Sequence, residues 1–377
     1  MCAIEAGKRG RTVLVLDHAN KAGKKILMSG GGRCNFTNYH IDADNYLSQN
    51  PHFCKSALSR FSQWDFIALV EAHNIAYHER SHGQLFCDNS AKEILNMLLS
   101  ENRKHNVTVE LNTSTHKVRK LPDERFTLKT TLGDLSCESL IIATGGLSIP
   151  KMGATPYGYQ IATQFGIKVI PTTAGLVPFT LHTHDKEKFA PLAGIAINAS
   201  VRNHAIQFQE NILFTHRGLS GPAILQLSSY WQPGEPIYID LSPEHDLLSE
   251  LKNQQQQHPQ QRLKSTLHRF FPKRLVAVFI DEQLGNEKLA NIPLKSFEKI
   301  ANTFHSWCLT PNGTEGYRTA EVTLGGVDSN EISSKTMAAK NVSGLYFIGE
   351  VLDITGWLGG YNFQWAWSSG WCAGQYV

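Results

Sequence analysis

The 377-residue chain contains no CxxC pair and no apolar run near the ~18 residues of a membrane span. Its seven cysteines, Cys2, Cys34, Cys54, Cys87, Cys137, Cys308 and Cys372, are scattered and odd in number. That pattern argues against a disulfide framework or a zinc site and predicts reduced thiols in a cytoplasmic protein, with no metal expected. Charge is also scarce. Charged residues make up 18%, and the net charge of +3 neither demands nor excludes an anionic partner. The apolar stretch at Met1–Lys8 is too short for a signal peptide, and no membrane association is expected. A G-x-G-x-x-G turn is missing as well.

What is present is organised. Hydrophobic residues reach 41%, enough for a sizeable core, and the length suggests two or three folding units. Ala3, Ile4 and Ala6 read as the end of a helix that Gly7 and Gly10 stop. Arg11–Asp17 then reads as a buried parallel strand ending in an acid. Helix, turn, strand and acid form the second half of a dinucleotide-binding βαβ unit. The first strand and its glycine turn are expected before it, and the late start reads as a truncated frame or misplaced start codon.

Residues 24–38 read as a glycine-rich basic loop. Helices are expected near 52–60, 62–73, 158–166 and 361–376, with another capped by Ser90 and reaching about 104. Strands are expected near 84–87, 107–111, 115–121, 126–132, 139–146 and 345–349. The expected architecture is α/β: a discontinuous Rossmann-like domain, 1–175 with 316–377, interrupted by a β-rich insertion at 176–242 and a helical one at 243–315. Within the insertions, 193–201 and 236–241 read as strands and Pro222 as the first turn of a helix. The run Gln254–Gln257 reads as a loop or solvated helix end.

Four segments carry chemistry. Asp17 is placed to accept hydrogen bonds from two ribose hydroxyls; the plainer reading is a turn aspartate. Ser29-Gly30-Gly31-Gly32-Arg33-Cys34-Asn35 lets backbone approach a flat ring or pyrophosphate, with Arg33 offsetting phosphate charge. Two readings of Cys34 stay open, a proton donor and a filler beside a cofactor. Ala143-Thr144-Gly145-Gly146 ends a buried strand at a glycine turn. In Gly349-Glu350 through Gly359-Gly360-Tyr361-Asn362, an acid precedes a glycine pair that opens the last helix, whose N-terminus suits an electron-rich ring edge. Two basic clusters, Lys8–Lys25 and Arg262–Arg274, read first as solvated surface. Phe270 and Phe271 in the second are candidates for core or for stacking on bases.

These segments, together with Thr215-His-Arg-Gly-Leu-Ser-Gly-Pro-Ala223, resemble the YhiN/BaiN family of bacterial flavoproteins along nearly the whole chain, most closely its YhiN branch. The resemblance implies non-covalent FAD held by Asp17, Lys24, Gly31, Arg33, Cys34, Asn35, Gly145, Glu350, Asp353, Gly360, Tyr361 and Asn362. It also implies reduction of an activated C=C bond, and for the YhiN branch conversion of uridine to dihydrouridine in large-subunit (23S) ribosomal RNA. NADH or NADPH is the expected reductant, and ribosomal RNA is the expected partner through the basic clusters. Cys34, Tyr361 and His216 are the candidate proton donors. The competing expectations are a small-molecule ene-reductase or amine oxidase, and a non-catalytic RNA- or ribosome-binding protein.

Overall fold

The opening helix, Cys2–Lys8, closes at Gly10, where φ is +79° and Arg11 N reaches back to Ala6 O. Gly7 lies inside that helix rather than ending it. A Cβ there would sit 2.7 Å from His105 O, so this glycine permits close packing on the segment that follows helix Lys92–Lys104. All residues 1–377 are described in this computed structural model. They form two units, Met1–Thr173 with Val322–Val377, and Ala174–Glu321.

In the first unit Leu14–Leu16 pairs in parallel with Thr108–Glu110, and Leu140–Ile142 pairs in parallel with Leu345–Phe347. Each ladder has two strands. The expectation of a buried strand at Arg11–Asp17 is therefore only half met. The pairing is parallel, but Leu14 is 42% exposed. An antiparallel meander, Thr115–Lys120, Phe126–Thr130 and Gly133–Cys137, lies between the ladders in sequence.

Several local expectations need correction. The stretch 24–38 is not all loop: Lys24–Met28 is helical and Asn35–Asn38 is a strand. That strand joins Gln84–Cys87, which joins Tyr77–Arg80, in a three-stranded antiparallel sheet. Helix Lys92–Lys104 has Ala91, not Ser90, at its N-cap; Ser90 Oγ instead accepts from Lys92 N at 3.2 Å.

The second unit is a seven-stranded sheet that includes Ala196–Arg202, Gln207–Phe214 and Ile237–Asp240, with helix Pro222–Ser228 against it. The helical stretch belongs to the same unit: Leu241 N donates to Phe304 O at 2.8 Å at the end of helix Leu294–His305. Gln254–Gln257 is not a loop but the last turn of helix Leu247–Gln257, with Gln254 buried and Gln255 Nε2 donating to Leu289 O and Ile292 O. Phe271 is core, stacked on Phe304 with centroids 4.3 Å apart. No helix is long and apolar enough to cross a membrane.

Candidate functional site

In the first unit one buried amide ties the closing helix to a neighbouring strand and loop. Gln364, in helix Tyr361–Gly374, accepts from Thr37 Oγ1 at 2.7 Å and donates to Phe61 O at 3.2 Å. Trp367 Nε1 donates to Phe36 O at 2.9 Å. These bonds lock the closing helix onto strand Asn35–Asn38. The two approach so closely that a Cβ on Gly360 would lie 2.4 Å from Thr37 O. Gly360 has φ +95°, the left-handed region, so glycine is required twice over.

Asn35 completes the latch. With its amide oriented to suit its neighbours, its oxygen accepts from Gly360 N at 3.2 Å and its nitrogen donates to Thr37 O and Leu85 O. Asn362 secures the other side, accepting from Gly356 N and donating to Gly356 O, both at 2.8 Å. Tyr361 is buried, its hydroxyl pushed up by burial, and its backbone carbonyl accepts from Tyr46 Oη.

A second cluster centres on Glu350. Its Oε2 accepts from Lys25 Nζ at 2.6 Å, and its Oε1 accepts from Thr323 N at 3.0 Å. Lys25 Nζ also donates to the buried Ser148 Oγ at 2.8 Å. Thr323 Oγ1 in turn accepts from Leu147 N at 2.8 Å. Gly146 fits only without a side chain, since a Cβ would meet Thr323 Oγ1 at 2.4 Å and Glu350 Oε1 at 2.9 Å. Gly145 has φ +72° and meets only Glu350 Oε2, at 3.8 Å. The resemblance names Lys24 as a cofactor contact; the lysine that meets Glu350 is its neighbour Lys25, which sequence reasoning did not single out. Helical geometry turns successive residues by about 100°, so only one of the two adjacent lysines can face Glu350. The doubled Lys-Lys was a signal, but choosing between them required knowing that residues 24–28 are a helix.

The remaining residues are distributed as follows. Asp17 ends its strand; Oδ1 accepts from Ala19 N at 2.8 Å, while Oδ2 takes no hydrogen bond from the chain. Gly31 has φ +65° and open space where a Cβ would be, and Arg33 beyond it is exposed. Cys34 is fully buried at φ +51°, its thiol pushed up to about 12 by burial, against which a Ser29 hydrogen bond works. Asp353 is directed elsewhere: buried, it accepts from Gln49 N at 2.9 Å, and burial pushes its carboxyl up. His216 is an exposed turn residue of the second unit, between strands Gln207–Phe214 and Gly218–Ser220.

The residues present fit the ring-bearing part of the FAD that the resemblance implies. Gly31 leaves open space at left-handed backbone, Gly145 at left-handed backbone meets only the Glu350 carboxylate, and the closing helix offers its first-turn N–H groups beside Gly360. Asp17 retains an unpaired carboxylate oxygen for a ribose. No G-x-G-x-x-G turn for the pyrophosphate occurs within residues 1–377.

Comparison with known proteins agrees along the whole length. The chain is 56% identical to a ribosomal RNA dihydrouridine synthase of Escherichia coli, covering 99% of this chain and 94% of that protein. It is 52% identical to a protein of the same name from Haemophilus influenzae, covering 98% and 93%. A 3-dehydro-bile acid delta(4,6)-reductase of Clostridium scindens is 27% identical over 96% of this chain and 92% of its own. The model of the HI0933-like protein Rossmann domain matches residues 1–376, and the chain belongs to that family.

Proposed function

We propose that this chain is an FAD-dependent reductase whose substrate is a uridine of large-subunit ribosomal RNA, reduced to dihydrouridine. One arrangement carries the reading. The Lys25–Glu350–Thr323 network packs against Gly145 and Gly146, and the Asn35–Gly360 latch fixes the glycine pair that opens helix Tyr361–Gly374. The 56% identity to the Escherichia coli synthase along almost the full chain supports the choice of substrate.

When bound, FAD supplies a hydride to the electrophilic carbon of an enone-like ring such as uracil. The chain's own groups have separate tasks. Asp17 Oδ2 accepts from a ribose hydroxyl. The first-turn N–H groups of the closing helix stabilise negative charge at a ring edge. Lys25 balances Glu350, so the carboxylate can hold Thr323 N and Ser148 without adding net negative charge there. Tyr361 is assigned as proton donor. Cys34, buried and with its thiol pushed up, is assigned to filling space. NADH or NADPH is assigned as reductant. The exposed Arg262, Arg269 and Lys273, none of them in an ion pair, are assigned to RNA phosphates.

The test is to incubate the chain with FAD, NADH or NADPH and a large-subunit ribosomal RNA fragment, then measure dihydrouridine by nucleoside mass spectrometry. FAD-dependent formation of dihydrouridine is the expected result. Reduction of small enones with no action on RNA would favour the small-molecule reading, which the Clostridium scindens relative supports. Salt-sensitive RNA binding without flavin uptake would favour a non-catalytic binder.

A further inference from the structure

The small sheet beside the glycine turns has two unlike faces. Register sets Asn35 and His78 opposite Phe86, and Arg80 opposite Gln84. Cross-strand partners point to the same side. The other side carries Thr37, Leu85, Cys87 and Tyr77, which pack into the core. A polar face with one aromatic ring is thus turned away from that core.

This face abuts the glycine turns. A Cβ on Gly30 would lie 2.7 Å from Phe86 Cε1, and one on Gly359 would lie 3.0 Å from Gln84 Cδ. The Arg80 guanidinium lies over Phe86, 4.3 Å from the ring centroid. Its Nε donates to His78 Nε2 at 3.2 Å, and His78 Nδ1 donates to Asp88 Oδ1 at 2.6 Å. The chain Asp88–His78–Arg80 fixes a flat cation in place, yet both of its Nη groups are left without a partner, and Arg80 is exposed. A guanidinium that only covered Phe86 would need no such fixing.

Gln84 is oriented by Asn35. When Asn35 turns its oxygen to Gly360 N, that same oxygen lies 3.3 Å from the Gln84 amide, which must then present its nitrogen. The Gln84 carbonyl then takes no hydrogen bond from the chain and lies beside Gly359, 3.1 Å from where a Cβ at 359 would sit.

We propose that this face is the base subsite for the reductase reading on which it rests: the Gln84 amide oxygen accepts from the N3–H of a uracil ring, and the Arg80 fork takes the adjoining phosphate. Cytosine, whose N3 is an acceptor, places a lone pair against the Gln84 oxygen and is rejected. The uridine must reach the face unstacked, as in a single-stranded or looped RNA.

The experiment measures fluorescence anisotropy of the full chain, supplied with FAD, on short single-stranded RNAs that differ only in carrying uridine or N3-methyluridine. Wild type is expected to prefer uridine by about tenfold, the order of one lost buried hydrogen bond. Gln84→Ala is expected to bind both RNAs alike. Arg80→Ala is expected to weaken both RNAs equally and to flatten the salt dependence by about one phosphate contact. Equal binding of the two RNAs by wild type, or a preference that survives in Gln84→Ala, would overturn the assignment while leaving the RNA reading intact. Failure of wild type to bind either RNA would overturn the RNA reading and this subsite with it.

Discussion

At the scale of single residues, the site is defined by where side chains cannot be. Gly146→Ala is expected to cost about 1–3 kcal/mol in denaturant unfolding, because its Cβ collides with Thr323 and Glu350. Gly31→Ala meets no atom, and its expected cost is only the left-handed backbone, about 1 kcal/mol. If both substitutions cost the same, the packing argument fails. Asp353 gives a test in pH. Burial raises its folded-state carboxyl above the ordinary 3.8, so the folded chain binds more protons than the unfolded one as pH falls toward that raised value. Its buried charge therefore lowers stability at neutral pH, and the cost is relieved on acidification until both states are protonated below 3.8. Asp353→Asn, which keeps an acceptor for Gln49 N, is expected to be more stable than wild type at pH 7 by thermal unfolding, with the gap closing in acid. A variant less stable at neutral pH would show that the carboxylate is needed as a charge.

At the scale of elements, strongly patterned segments were legible. The closing helix, the strand at 345–347 and the helices at 53–60 and 63–72 lie within a few residues of expectation. Strand Tyr77–Arg80 was not seen. Its sequence Tyr-His-Glu-Arg lacks apolar alternation, and its pairing with Gln84–Cys87 makes it a strand. Strand Gly133–Cys137 was missed because it is short and opens on Gly133-Asp134, which reads as a turn, although Leu135 and Cys137 alternate with polar residues. The glycine turns and Glu350 were legible because their residue types are uncommon in that order. Lys25 and Gln84 were not, because each is selected by which way one local element faces. Strand Leu14–Leu16 carries an exposed apolar side chain, Leu14. Leu14→Lys is expected to reduce concentration-dependent self-association in light scattering without lowering the unfolding midpoint. Association as strong as that of the unchanged chain would contradict this.

At the scale of the whole molecule, the first unit is built from both ends of the chain, and every cofactor residue named by the resemblance lies within it. Sequence order alone would not place Lys25 against Glu350; the return of the chain at Val322 does so. The second unit holds His216 and the unpaired cations of the Arg262–Arg274 segment. The division of labour proposed is a reductive site in the first unit, with its base subsite, and further RNA phosphate contacts in the second. The measurement that bears most directly on this is dihydrouridine content of large-subunit ribosomal RNA, by nucleoside mass spectrometry, in an Escherichia coli strain lacking its 56% identical relative and expressing this chain or its Glu350→Ala variant. Dihydrouridine lost in the deletion strain and restored by this chain but not by the variant is the expected result. Dihydrouridine unchanged by the deletion, or restored equally by Glu350→Ala, would contradict the account.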